Sequence, residues 1–172
     1  MKHIMISIKP EWVAKILNGE KTLEIRKTIP KCDLPCKVYI YCTKDSKHLV
    51  APFNFVEGWF YKVYDDNTHY CNGCSWNMGE TINGKVVAEF TLNKVEQFSV
   101  GSLRSDDIEK LACVTYKQMI DYYYKPQELD GKTAKLGYAW HIEDLHIYDQ
   151  PKELAEFGLK RPPQSYQYLE DL

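Results

Sequence analysis

A helix-to-strand junction between residues 10 and 26 constrains the fold of this chain more than any other segment. Pro10 suits the first turn of a helix, and four apolar residues follow on one helical face: Trp12, Val13, Ile16 and Leu17. Gly19 then ends the helix. From Leu23 to Arg26 apolar and polar residues alternate, as in a strand with one buried face. The segment therefore predicts a short amphipathic helix leading directly into a strand.

The polar residues of this junction are the main candidates for a working site. Strand alternation places Thr22, Glu24 and Arg26 on one face, and Lys21 precedes them at the bend. An amine, a carboxylate and a guanidinium suit a nucleotide if they gather at the mouth of a hollow and stay open to solvent. A structural interpretation stays open beside this one. Lys21 can bind the free carbonyls of a helix C-terminus, while Glu24 and Arg26 can pair across a strand face.

The rest of the chain completes a set of about six strands with a few short helices. Strand patterns occur at residues 4–8, 37–42, 85–92, 136–142 and 145–148, in addition to the junction strand. Helical patterns occur at residues 105–111, 115–122 and 151–157. Turn residues interrupt residues 43–84, which we interpret as an insertion with room for one hairpin.

The order of these elements predicts the fold class. Helices at two points, rather than in regular alternation with strands, argue against a doubly wound sheet. We expect an α+β fold built on a small, mostly antiparallel β-barrel of about six strands with flanking helices. With 172 residues, 44% of them hydrophobic, the chain can bury about 70% of its unfolded surface. We therefore expect one domain over residues 1–157, with an insertion at about 43–84 and a C-terminal extension at 158–172.

Positive charge is concentrated in the first third of the chain. Residues 1–50 hold 10 Lys and Arg against 5 Asp and Glu, whereas residues 139–172 hold 3 against 7. With a net charge of −2 and a pI near 6.2, the protein does not suit nonspecific coating of nucleic acid, but a focused basic cleft fits. The sequence has no run of about 18 apolar residues and no secretory signal pattern, so we expect a cytoplasmic protein without a membrane partner.

The cysteines leave two interpretations open. Without a secretory signal, a reducing compartment is expected, where thiols and metal ligands are commoner than disulfides. Cys32 and Cys36 form C-x3-C, and Cys71 and Cys74 form C-x2-C. Four thiolates in two pairs match the donor count of a structural zinc site if the fold brings the pairs together. The alternative is free thiols, and apart from this candidate zinc we expect no cofactor.

The junction resembles a known family motif. Residues 19–26, GEKTLEIR in one-letter code, follow a short amphipathic helix and resemble the G-x-K-x-x-E-x-R motif of the ASCH domain, a branch of the PUA-like superfamily. The order of strand, helix, motif strand and the next two strands agrees as well. Residues 137–157 also resemble the closing portion of the longer ASCH proteins of bacteria and phages. The resemblance covers most of residues 1–157, with 43–84 as an apparent insertion.

This resemblance implies a β-barrel with a cleft beside the first helix that binds RNA or a nucleotide-like ligand. In such a cleft Lys21 and Arg26 contact phosphate or a base edge, while Glu24 accepts from a base amino group or orients Arg26. Unpaired bases are often stacked on aromatic rings. The candidate stacking residues are Trp12, Trp76, Tyr138 and His141.

The resemblance also raises the question of catalysis. Some small ASCH proteins are amidohydrolases that act on an acylated cytidine with a Lys and a Thr of this motif and a distant Glu. Lys21 matches the Lys, but Glu24 stands where the Thr falls, and Thr22 lies one alternate position earlier. A carboxylate cannot simply replace an alkoxide nucleophile in amide cleavage. If the protein is an enzyme, the catalytic candidates are Lys21, Thr22 and Glu24.

Three functions therefore remain open from the sequence. The first is a module that binds RNA or a nucleotide. The second is a hydrolase of modified nucleosides or RNA, either an amidohydrolase or a ribonuclease. The third is an interaction or structural protein whose fold is held together by a structural zinc ion. We favour the first, because the array of Lys21, Glu24 and Arg26 lies in the part of the chain that carries the basic surplus.

Overall fold

A computed structural model describes residues 2–55, 58–65, 80–100, 106–125 and 134–169 of the chain. Its helices are α1 (Pro10–Leu17), α2 (Asp106–Ala112) and α3 (Tyr116–Tyr123), with a 3-10 helix at Leu154–Phe157. Its strands are β1 (His3–Ile8), β2 (Leu23–Arg26), β3 (Cys36–Cys42), β4 (His48–Phe55), β5 (Gly58–Asp65), β6 (Val86–Leu92), β7 (Val95–Ser99), β8 (Leu136–His141), β9 (Glu143–Lys152) and β10 (Tyr166–Leu169). The predicted α+β class is confirmed.

The strands form three sheets in the described residues. The main sheet has the order β10-β1-β3-β6-β9, the small sheet has the order β2-β8-β7, and β4 and β5 form a separate hairpin. Neighbouring strands are antiparallel except β1 and β3, which are parallel. These sheets are not closed into the barrel that we expected, because no described ladder joins the small sheet to the main one.

The six strands that the sequence predicts correspond to β1, β2, β3, β6, β8 and β9, and four more are present. β4 and β5 are the hairpin for which the insertion had room. β7 and β10 were not predicted. Each is a short strand at the edge of its sheet, where one neighbour is enough and the apolar alternation is weak.

The largest core lies between the main sheet, the small sheet and α1. Ile4, Ile6 and Ile8 of β1 pack in one cluster with Val13 and Ile16 of α1. Trp140 of β8 belongs to the same cluster and is fully buried. The hairpin also contacts α1, and Val50 of β4 belongs to the same cluster. One face of the small sheet is therefore turned inward, toward β1.

The opposite face of the small sheet is covered by α2 and α3. Leu23 and Ile25 of β2 pack there with Ile108 of α2 and Met119 of α3. A capping box starts α3: the Gln118 amide donates to Thr115 Oγ1 over 3.2 Å, and the Thr115 amide donates to Gln118 Oε1 over 2.8 Å. Both faces of β2 are thus buried.

The C-terminal segment joins the main sheet. β10 runs antiparallel to β1, with Leu169 opposite His3 and Tyr166 opposite Ile6. The helix predicted at residues 151–157 is shorter than expected, because β9 continues to Lys152 and only the 3-10 turn follows. None of the described helices combines the length and apolar character needed to span a membrane.

Candidate functional site

The bend between α1 and β2 is built by the backbone. Gly19 adopts a left-handed conformation (φ 75°), which an L side chain rarely tolerates, and its amide donates to Ile16 O over 2.9 Å. The amides of Glu20 and Lys21 then both donate to Lys15 O, at 2.9 and 3.1 Å. This C-terminal turn sends the chain straight into β2.

Lys21, Glu24 and Arg26 meet in one ion-paired group, which we call the charged cluster. Lys21 Nζ lies 3.3 Å from Glu24 Oε2, and Arg26 Nη2 lies 3.0 Å from Glu24 Oε1. Each carboxylate oxygen therefore faces one cation. Lys21 is 3% exposed and the other two residues are each 7% exposed. The three groups thus come together, but as mutual ion pairs rather than at the open hollow that the sequence predicted.

The remaining donors of the charged cluster bind distant parts of the chain. Lys21 Nζ donates to Leu23 O at 2.7 Å and to Ala112 O, at the end of α2, at 2.8 Å. Arg26 Nη2 donates to Ser7 O at the end of β1 over 2.9 Å, and Nη1 donates to Ser165 Oγ over 3.1 Å. The cluster thus ties β2 to β1, to α2 and to the segment before β10.

This arrangement corrects the expectation that the three groups lie open to solvent. In an antiparallel pair, opposed residues share a face, and Glu24 lies opposite Trp140 while Arg26 lies opposite Tyr138. That face looks toward the core between the two sheets rather than toward water. The structural interpretation also holds in part, since Glu24 pairs with Arg26 and Lys21 binds a C-terminal carbonyl. That carbonyl belongs to α2, not to α1.

The electrostatics of the charged cluster favour a further anion. Two cations share one carboxylate, so one positive charge is in excess in a desolvated position. Burial lowers the pKa of Lys21, and the neighbouring Glu24 opposes that shift. Arg26 Nε is buried and has no hydrogen-bond partner in the described part of the chain. The cluster can therefore accept a phosphate or carboxylate at the edge where Arg26 reaches the surface.

The aromatic candidates are divided between two faces of the small sheet. Tyr138 lies on the cluster face of β8, and the Lys21 ammonium lies 5.5 Å from the ring centroid of Trp12. His141 lies opposite Leu23 and hence on the other face, where its Nε2 is 3.4 Å from Glu96 Oε2. Trp76 lies outside the described residues. The structure thus brings Trp12 and Tyr138, but not His141, toward the cluster.

The third catalytic candidate, Thr22, is separated from the other two by its exposure. Its side chain is exposed, whereas Lys21 and Glu24 are buried. Its amide donates to Leu111 O over 2.9 Å, which fixes this residue beside α2. A nucleophile at Thr22 would therefore act from the surface, not from within the charged cluster.

Sequence reasoning missed several neighbours of the cluster. Tyr122 of α3 is 42% exposed, and its ring centroid lies 4.7 Å from Lys27 Nζ. Burial raises the pKa of its phenol, the charge of Arg26 lowers it, and the charge of Glu24 raises it. No local pattern marks Tyr122, Ser7 or Ser165 as partners of residue 26, because only tertiary contacts bring them there.

The cysteine prediction can be followed for one pair only. The Cys32 thiol lies 3.2 Å from Cys36 Sγ, and burial raises the pKa of Cys36 to about 12. Cys71 and Cys74 lie outside the described residues. Within those residues, no group of three or more His, Cys, Asp or Glu side chains is arranged to hold a metal. The candidate zinc site therefore stays a prediction.

Comparisons with known proteins point to one family. No family model matches the sequence. A segment of 56 residues is 36% identical to an ASCH domain-containing ribonuclease of Zymomonas mobilis, and this match spans 33% of the chain but only 37% of that relative's length.

The solved structures match over nearly the whole chain. The crystal structure of ASCH from Zymomonas mobilis superimposes with a TM-score of 0.61 at 22% identity, covering 98% of this chain and 87% of that one. A serine-to-alanine variant of the same protein gives 0.61 at 20% identity, with 98% and 88% covered. A tyrosine-to-phenylalanine variant gives 0.61 at 21% identity, with 99% and 91% covered. The resemblance in the sequence is therefore confirmed, and the chain has the fold of the ASCH domain.

Proposed function

We propose that this protein binds single-stranded RNA and that one RNA phosphate lies against the charged cluster of Lys21, Glu24 and Arg26. The observation that carries the proposal is the unbalanced positive charge of the cluster, held in a desolvated position. The similarity to a protein named as a ribonuclease supports RNA as the ligand.

A phosphate relieves the electrostatic cost of the charged cluster. A buried charge without a counter-ion is unfavourable, and a phosphate supplies the missing negative charge. Guanidinium groups bind phosphate oxygens by short charge-assisted hydrogen bonds, and the guanidinium of Arg26 is part of the cluster. The Arg26 and Glu24 side chains are each 9% exposed, so the ligand meets the cluster at its edge.

The charge and the rings beside the cluster favour a single strand as the ligand. A protein with net charge −2 cannot gain affinity from broad phosphate neutralisation, so its contacts must be local. Trp12 and Tyr138, both partly buried, lie beside the cluster. Rings of this kind stack on unpaired bases, which a duplex does not present.

Fluorescence anisotropy with a labelled single-stranded RNA at low and physiological salt tests the proposal. We expect saturable binding by the wild type and at least roughly tenfold weaker binding by Arg26→Lys, which keeps the charge but loses the planar fork. Lys117→Gln is the matched control, since the exposed Lys117 pairs with Asp121 on the surface of α3. Circular dichroism confirms that each variant is folded. Folded wild-type protein that binds no RNA at low salt would overturn the proposal.

Cleavage of RNA is a second candidate function. The observation that favours it is the lowered pKa of Lys21, since an amine that loses its proton more readily is a better general base. In this role Lys21 Nζ takes the proton of the attacking hydroxyl. That hydroxyl is the ribose 2′-hydroxyl beside the phosphate: its oxygen forms the new bond to phosphorus, the bond from phosphorus to the 5′-oxygen breaks, and the 5′-oxygen leaves with a proton from water.

End-labelled RNA, separated on a gel after incubation, distinguishes cleavage from binding alone. We expect the cleavage rate to rise with pH with a midpoint below 10.5, the ordinary pKa of a lysine. Lys21→Arg, purified in parallel, should lose cleavage because its guanidinium stays charged, and it also controls for contaminating nuclease. Intact RNA with the wild type, or equal cleavage by Lys21→Arg, excludes Lys21 as the base.

A further inference from the structure

We propose that Cys32 and Cys36 form a redox-active dithiol, which a small disulfide such as oxidised glutathione converts reversibly into an intramolecular disulfide. This site is separate from the charged cluster and independent of the proposed RNA binding. It gives the C-x3-C motif a role that requires neither zinc nor the second pair of cysteines.

The two sulfur atoms of this pair are already in contact. The Cys32 thiol donates to Cys36 Sγ over 3.2 Å, and both cysteines are free. A disulfide has an S–S distance of about 2.0 Å, so the sulfurs must approach each other by roughly 1.2 Å more. Cys36 is the first residue of β3, whereas Cys32 lies in the loop before it. Movement of the Cys32 side chain can therefore close the bond while β3 keeps its place.

The two thiols differ in their access to solvent. Cys32 is partly buried, whereas Cys36 is 2% exposed and belongs to the largest core cluster. Residues 33–35, which connect them, are exposed. Accessible thiols react with disulfides far more readily than buried ones, so a reagent from solvent meets Cys32 first. The pair therefore has the arrangement of an attacking thiol with a resolving thiol behind it.

The reaction consists of two thiol–disulfide exchanges. The Cys32 thiolate attacks one sulfur of oxidised glutathione, the S–S bond of that molecule breaks, and one glutathione thiolate leaves and takes up a proton. The Cys36 thiol then gives its proton to a base in solvent, and its sulfur attacks Cys32 Sγ and expels the second glutathione. Two protein thiols are thereby oxidised to a disulfide, and one small disulfide is reduced to two thiols.

Burial makes the second exchange the slow one. The pKa of Cys36 is raised to about 12, chiefly by burial and in addition by the hydrogen bond and charge of Cys32. The contribution of Cys32 disappears once its sulfur is bound to glutathione, but burial remains, so the second exchange should become faster as pH rises. Cys42 offers a contrast within the same core cluster. Burial raises its pKa to about 12 as well, but its thiol donates to the carbonyl of Thr43 rather than to a sulfur.

Trypsin releases both thiols in one peptide, residues 32–37, because it cleaves after Lys31 and Lys37. The protein is equilibrated with reduced and oxidised glutathione and stopped with acid, and the unfolded chain is blocked with N-ethylmaleimide, digested and analysed by mass spectrometry. We expect an unblocked peptide with a mass about 2 Da below the dithiol form, since two hydrogen atoms are lost. Its ratio of disulfide to dithiol should be at least roughly tenfold higher in the folded protein than in concentrated guanidinium chloride, because the fold holds the sulfurs together. Cys42, in peptide 38–44, is the internal control and should carry N-ethylmaleimide after the same treatment of the folded protein.

Two variants test the order of the exchanges. Cys36→Ala should keep a glutathione adduct on Cys32, whereas Cys32→Ala should leave the buried Cys36 as a free thiol. An adduct on Cys36 in folded Cys32→Ala would overturn this order. If either variant lacks the circular dichroism spectrum of the folded protein, the wild-type measurement decides by itself.

The wild-type measurement can contradict the dithiol in three ways. Peptide 32–37 may stay reduced in the folded protein, either because its thiols are inert or because they hold zinc. A glutathione adduct that never passes to the second thiol also overturns the inference. So does a disulfide that is no more abundant in the folded protein than in the denatured chain.

Discussion

At the scale of single residues, the charged cluster is an ion-paired group that ties distant parts of the chain together. Glu24 is the centre, because its two oxygens hold Lys21 and Arg26 apart and neutralise one of them. Such buried pairs contribute little net stability against an apolar replacement, but removing one member leaves an uncompensated charge. We therefore expect each of these three residues to stabilise the fold whether or not it touches a ligand.

Glu24→Gln tests this requirement. The amide leaves two buried cations without a counter-ion, so we expect the free energy of unfolding to fall by about 3 kcal/mol. Urea denaturation followed by tryptophan fluorescence measures it. Lys117→Gln, which breaks the exposed pair with Asp121, should change it by less than about 0.5 kcal/mol. A loss below about 1 kcal/mol for Glu24→Gln would mean that the cluster is better hydrated than its burial indicates.

At the scale of elements, two asparagine side chains form hydrogen bonds with the outer backbone edges of the β4–β5 hairpin, where a neighbouring strand would otherwise pair. Asn18, just after α1, bonds the amide and carbonyl of Tyr61 in β5, each over 2.8 Å. Asn83 accepts from the Val50 amide of β4 over 2.8 Å and donates to His48 O over 2.9 Å. Both outer edges of the hairpin are thereby satisfied near the core.

Asn18→Ala should release the β5 edge. It leaves the amide and carbonyl of Tyr61 without their partner, so we expect a loss of about 2 kcal/mol and faster hydrogen exchange of the Tyr61 amide. Exchange followed by NMR gives both quantities. Asn93→Ala is the control, because Asn93 makes an exposed bond to Glu143. Unchanged exchange at Tyr61 would show that packing against α1 alone holds the hairpin.

A carboxylate that bridges three strands makes stability depend on pH. Partial burial raises the pKa of Glu89, but hydrogen bonds from Lys37 and Tyr148, both at 2.5 Å, bring the net pKa below the ordinary 4.5. A carboxyl with a lowered pKa in the folded state stabilises the fold above the ordinary value and loses this effect as pH falls through the lowered pKa. Glu89 therefore contributes at neutral pH.

We expect the free energy of unfolding of Glu89→Gln at pH 7 to be roughly 1 kcal/mol lower than that of wild type. The difference should shrink steadily below pH 4.5, because the wild type then loses the charge that the variant lacks. Thermal unfolding of both proteins from pH 7 to pH 3 measures it. A difference that stays constant with pH would assign the effect to packing rather than to charge.

At the scale of the whole molecule, the main and small sheets face each other across one core, and the charged cluster lies where they meet. Its partners Ser7 and Ser165 belong to the main-sheet side, whereas Glu24 and Arg26 belong to the small sheet. The surrounding chain carries net charge −2. If the protein binds RNA as proposed, this geometry favours a few local contacts over a broad electrostatic surface.

This geometry predicts a weak salt dependence of RNA binding. Neutralising two or three phosphates of a single strand gives a slope of log K against log salt of about −1.4 to −2.1. Anisotropy titrations from 50 to 300 mM salt, roughly the range over which counter-ion release is measured, give the slope. Arg26→Gln should make it shallower by about 0.7, and Lys117→Gln should not change it. A slope steeper than about −4 would indicate a broad surface.

The sequence by itself determined the local elements and the chemistry of the motif. Pro10, the apolar stripe and Gly19 are sufficient for α1 and its end, since caps and backbone propensities act within a few residues. Alternation identified six of the described strands for the same reason. The spacing of Lys21, Glu24 and Arg26 marked the residues that meet in one cluster.

Only the tertiary structure decided how those residues are used. Whether β2 turns its polar face to water or to the core depends on how β8 and β1 pack against it. Arg26 forms a hydrogen bond with Ser165, which lies 139 residues later in the sequence. The edge strands β7 and β10 likewise depend on which strands become neighbours. Local propensity carries no information about such contacts, because their energy exists only after the chain has brought distant segments together.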